Sequence, residues 1–150
     1  MASRLKKKRE SDSFDRKSNK RSEYSEDRSK NICFNFNYLD KTQGQTYKDW
    51  EQNELLALLM DKLEHLSKLN IMESQKTILT VYKDIEFPPN SKFTFPKHLP
   101  ENFKFPENVK WAKIDIQGKE RVIGFLENNV FYIVFLDKNH EFYPSEKKNT

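Results

Sequence analysis

Arg121 is the residue whose type and place most invite chemistry. It is the only arginine after residue 30, in a stretch that uses lysine 15 times. A guanidinium presents a planar fork of N–H donors that matches phosphate oxygens, which an ammonium does not. A structural ion pair with Glu120 or Asp115 would equally account for a single arginine, as would codon drift. Lys119 shares the strand parity of Arg121, and Lys113 falls on the preceding strand near the same turn. The three are expected to form a basic strip on one sheet face. Such a strip would hold a scissile phosphate and stabilise the charge that develops during 2′-hydroxyl attack on RNA. His140 has the intrinsic proton affinity of a general base or acid. Tyr143 would supply a proton or stack on a base. The plainer reading of His140 is a solvated residue that follows an Asp137-Lys138-Asn139 turn.

Other chemistries find little support. His65 falls on a predicted helix and His98 in a proline-rich loop, and both read as bystanders. The three histidines are far apart and no carboxylate spacing accompanies them, so no metal site is expected. Gly44, Gly118 and Gly124 are the only glycines, which leaves no phosphate loop and no dinucleotide fingerprint. No cofactor is expected. Cys33 is the single cysteine, so neither an internal disulfide nor a multi-thiolate zinc site can form, and a reducing cytoplasm fits. The longest apolar run, Val130 to Leu136, has the length of a strand and not of a membrane span. No apolar stretch follows the N-terminal basic residues as it would in a signal peptide.

The elements that must position these residues can be read from the periodicity. Of the 27 Lys and Arg residues, 11 lie in residues 1–30, with 6 of the 23 Asp and Glu; residues 31–150 therefore carry 16 basic and 17 acidic side chains. The basic character belongs to the N-terminal arm. Residues 1–30 hold too few large apolar groups to offset chain entropy and are expected to be disordered. Lys6, Lys7, Lys8 and Arg9 are the densest part of the arm and are candidate contacts to a phosphate backbone; a solubilising extension is the alternative.

Residues 31–144 read as one α+β domain and 145–150 as a disordered C-terminus. Alternation over 32–39 predicts an N-terminal strand. Thr46 and Asp49 resemble a capping box. Leu56, Leu59, Leu63, Leu66 and Leu69 then recur at steps of three and four, and no Gly or Pro interrupts 47–69, which predicts one long amphipathic helix. Residues 71–87 fit a short helix or a buried strand. Five of the six prolines fall between Pro88 and Pro106 among Phe93, Phe95, Phe103 and Phe105, the signature of an extended loop pinned by aromatics. From Trp111 onward, three short apolar segments separated by Gln117-Gly118 and Glu127-Asn128-Asn129 predict an antiparallel three-stranded meander. Its third strand, Val130 to Leu136, should be central or covered on both faces.

The stretch Gly118-Lys119-Glu120-Arg121-Val122-Ile123-Gly124-Phe125, then Val130 to Phe135, then His140 and Tyr143, resembles the end of RelE/YoeB-family toxins. Those proteins show a Gly-Lys-x-Arg-hydrophobic strand, a turn, an apolar strand and a terminal His or Tyr. The motif covers about residues 109–143, and the element order covers 32–143. The resemblance implies a RelE-like fold and a metal-independent endoribonuclease that cleaves mRNA, typically on the ribosome. It also implies neutralisation by an antitoxin protein, which should be acidic to mask a basic strip. The near-neutral domain, the N-terminal arm and the long loop at 86–108 depart from that family's compact, basic pattern. A non-catalytic protein- or RNA-binding module is the alternative.

Overall fold

The computed structural model describes residues 29–83, 87–99 and 110–144. The basic cluster Lys6, Lys7, Lys8 and Arg9, nearly all of the arm, Phe103, Phe105 and residues 145–150 lie outside the described residues. The order of elements is β1 (Cys33–Asn35), α1 (Tyr47–Gln52), α2 (Leu56–Ser67), α3 (Ile71–Gln75), β2 (Leu79–Val81), β3 (Lys110–Gln117), β4 (Glu120–Glu127) and β5 (Val130–Asp137). The fold is α+β, built on one five-stranded sheet in the order β1-β5-β4-β3-β2. β1 runs parallel to β5, and every other pairing is antiparallel.

The C-terminal meander forms as its turn residues predict. Gly118 and Asn128 each begin a two-residue connection with positive φ, 53° and 54°, the backbone that tight hairpins require. β5 lies between β1 and β4 and is covered on both faces. On one face α1 and α2 bring Trp50, Leu59, Leu63 and Leu66 against Ile114, Val122, Ile133 and Leu136. On the other, Phe93 and Phe142 pack with Trp111, Ile123, Phe125 and Phe135. Ring centroids there lie 4.6 Å apart for Phe93–Phe135 and 5.2 Å apart for Phe87–Phe142. The described part of the proline-rich segment, residues 87–99, thus covers this face of the sheet through aromatic contact.

Two expectations need correction. The N-terminal strand is only Cys33–Asn35, and Phe36, expected to point inward, is 40% exposed. The chain turns away there, with the Leu39 amide donating to the Phe36 carbonyl. The long helix over 47–69 is two helices. Thr46 and Asp49 do form the capping box of α1, but Glu54 adopts a φ of 58° and α2 starts afresh at Leu56. The reason is Trp50. At about 100° per residue, Trp50 on a continuous helix would point roughly opposite the Leu59-Leu63-Leu66 stripe. The break lets Trp50, at 0% exposure, and that stripe enter the same core. The ambiguous segment after it resolves into α3, capped by Asn70 and Glu73, and the edge strand β2. Among the described residues no helix is long and apolar enough to cross a membrane.

Candidate functional site

The site is assembled by two irregularities in the sheet. In a regular hairpin closed by Gly118-Lys119, Arg121 would oppose Ile116, a core residue on the helical face. The β3–β4 register shifts between Asp115 and Gln117, so Arg121 opposes Asp115 instead. In a regular hairpin closed by Asn128-Asn129, Arg121 would oppose Leu136. The β4–β5 register shifts between Ile123 and Gly124, leaving Val134 unmatched, so Arg121 opposes Asp137. Gly124 permits this second shift: a Cβ there would sit 2.0 Å from the Tyr132 carbonyl oxygen. Each shift changes which residue faces Arg121, because strand side chains alternate. The result is a cross-strand row, Asp115-Arg121-Asp137, at the end of the aromatic face.

Arg121 is 9% exposed. Its Nε donates to the Lys119 carbonyl at 3.2 Å, and Nη2 lies 4.0 Å from Asp115 Oδ1. Lys113 Nζ donates to the same Asp115 oxygen at 2.9 Å. Asp137 is fully buried, and its carboxylate accepts from the amides of Glu141 at 2.8 Å and Phe142 at 2.9 Å. Those bonds fold the segment after β5 back over the row. His140 stands in that segment with a φ of 58°, a left-handed conformation uncommon outside glycine, asparagine, aspartate and histidine.

The electrostatics follow from this packing. Burial lowers the proton affinity of His140; Arg121 and Lys113 lower it further, while Asp137 and Asp115 oppose them. The imidazole is therefore neutral at pH 7. Burial pushes the Tyr82 phenol up to about 12, against the pull of Arg121. The Tyr82 hydroxyl is buried and interacts with the Arg121 guanidinium, short of full hydrogen-bond geometry. The Tyr82 ring stacks on Tyr143, with centroids 5.1 Å apart and planes inclined by 14°. Tyr143 itself is 45% exposed.

Arg121 and Lys113 both meet Asp115 Oδ1, His140 stands in the segment that Asp137 anchors, and Tyr143 stacks on Tyr82. The structure does not place the Lys119 ammonium in the strip. Lys119 stands in the exposed β3–β4 turn and contributes its carbonyl. Nor is the strip basic, because Asp115 and Asp137 balance Lys113 and Arg121. The ion pair with Asp115, one of the readings of a lone arginine, is present. Asp137 and Tyr82 are the residues sequence reasoning missed. A carboxylate closing an otherwise apolar strand was the available signal for Asp137; Tyr82 carried none. His98 Nε2 meets the Tyr38 carbonyl at 3.2 Å, away from this row. Among the described residues, no three of His, Cys, Asp and Glu converge as a metal site. No protein-family model, curated protein or solved structure matches the chain.

Proposed function

We propose that this chain is a metal-independent endoribonuclease of the RelE/YoeB type, acting on mRNA and held in check by an acidic antitoxin protein. One observation carries the reading: Arg121 pairs across the sheet with Asp137, whose carboxylate holds the amide of Glu141, next in the chain to His140. In the proposed reaction the ribose 2′-oxygen attacks the adjacent phosphorus and its proton passes to the neutral His140. The 5′-oxygen leaves and takes a proton from Tyr143, giving a 2′,3′-cyclic phosphate and a free 5′-hydroxyl. Arg121 and Lys113 face the charge that builds on the phosphoryl oxygens. Asp137 positions His140 through the segment it anchors. The left-handed backbone at His140 supports this reading, since such conformations concentrate where geometry serves a site.

The test is primer extension on a translated mRNA. His140→Asn tolerates positive φ and should fold, and it should lower cleavage roughly 100- to 10,000-fold, the range for a general base. Arg121→Lys keeps the charge near Asp115 and Asp137 and should cost about 100- to 1,000-fold, as for loss of one preorganised donor. Cleavage by both variants at the wild-type rate refutes the assignment, and no cleavage by the wild type refutes the enzyme.

A second reading is favoured by the 9% exposure of Arg121 and its two carboxylate neighbours. In it the row is a structural ion-pair network, and the domain is a non-catalytic protein- or RNA-binding module. RNA binding without cleavage in the same assay is its signature.

A further inference from the structure

We infer that the loop Pro88-Pro89-Asn90 and Tyr143 form a pocket for one nucleobase of single-stranded RNA, with Asn90 reading the base edge. The inference rests on the nucleic-acid reading above and adds a subsite to it. A cavity of about 210 Å³ is lined by Pro88, Pro89, Asn90, Tyr143 and Pro144. It is below the roughly 300 Å³ at which clefts begin to hold drug-sized ligands, and it suits a single flat ring system. One wall is the Tyr143 ring, 45% exposed and backed by the stacked Tyr82. A ring held from behind in this way offers a ready face for stacking, a contact open to every base. The prolines supply the other, apolar wall. Asn90 is exposed at the rim, and an amide carries both donors and an acceptor for a base edge.

The pocket is built in advance. The Ser91 amide donates to the Pro88 carbonyl at 3.1 Å, closing the loop on itself. The Lys92 amide donates to the Glu141 carbonyl at 3.0 Å, tying the loop to the segment that carries His140 and Tyr143. Little ordering is therefore left to be done on binding. Through Tyr82 the pocket also adjoins Arg121, whose charge acts on the Tyr82 phenol.

The experiment uses the full chain and short 2′-O-methyl RNA strands, which cannot be cleaved by 2′-oxygen attack. Binding is read by anisotropy for strands of one length that are all-uridine, all-adenosine or abasic at one position. Tyr143→Ala should weaken binding about 5- to 150-fold, and Tyr143→Phe should restore most of it. Asn90→Ala should narrow the difference between uridine and adenosine strands. For one abasic position in the strand, binding should be weaker and insensitive to Tyr143→Ala. Unchanged binding by Tyr143→Ala overturns the pocket. Tyr143-dependent binding to the uncleavable strands without cleavage of ordinary RNA upholds the pocket and refutes only the nuclease reading.

Discussion

At the scale of the residue, the cluster is governed by what each side chain can leave unpaired. Asp137 is wholly buried and serves the Glu141 and Phe142 amides. Asp137→Ala orphans both donors and leaves Arg121 with one carboxylate fewer, so it should destabilise the fold by on the order of 3 kcal/mol. Asp137→Asn keeps an acceptor oxygen and should cost less. Urea midpoints at an unchanged m-value measure the difference. His140 contributes a pH signature. Its folded-state proton affinity lies below the ordinary 6.5, so the unfolded chain binds the proton first as pH falls. The stability contributed by the neutral buried ring is thus present above 6.5 and is lost as pH drops from 6.5 through the folded value. The acid limb of a cleavage profile should likewise lie below 6.5, and in His140→Asn that limb should vanish. A limb at or above 6.5 would remove His140 as the base.

At the scale of the element, the two register shifts carry the site. Gly124 is the clearest lever on them. Gly124→Ala drives a methyl into the Tyr132 carbonyl and against Phe131 Cε1, 2.6 Å away. The atom in the way is backbone and cannot rotate aside, so β4 and β5 must separate or slip. We expect a loss of at least about 3 kcal/mol, the upper range for overpacking, together with weakened His140-dependent cleavage because Asp137 leaves register. A thermal melt and the primer-extension assay on the same sample check both. The break between α1 and α2 gives the opposite sign. Glu54 holds a φ of 58°, which costs a side-chain residue about 1–2 kcal/mol. Glu54→Gly removes that cost at the expense of chain entropy, and a rise of roughly 0.5 kcal/mol in stability is expected from the same urea titration.

At the scale of the whole molecule, charge is divided unevenly along the chain. Residues 1–30 hold 11 basic and 6 acidic side chains, whereas residues 31–150 hold 16 and 17. The row at the site is itself balanced. Salt-dependent attraction to RNA should therefore come from the arm. Deleting residues 1–28 should reduce the salt slope of binding to single-stranded RNA by roughly 0.7 for each phosphate that the arm neutralises. The thermal midpoint should shift by less than about 2 °C, as for changes worth a few tenths of a kcal/mol. An unchanged slope would move phosphate binding onto the domain and return Lys119 and Lys113 to that role.

The sequence by itself determined the α+β class, the meander and the burial of its last strand. Turn residues and runs of apolar side chains are local signals, and hairpins answer to them directly. It also offered Arg121, His140 and Tyr143 as candidates, from residue type and from the resemblance to the toxin family. Only the tertiary structure decided what Arg121 faces. Hairpin counting from the turns places it opposite Ile116 and Leu136; the shifts beside Asp115 and Gly124 place it between Asp115 and Asp137. A slip of one residue exchanges the two faces of a strand, and where the slip occurs depends on packing between strands. The broken helix follows the same logic. Trp50 stood off the leucine stripe in plain view, but whether the chain would bend to bury it depended on a core that the helix alone does not contain.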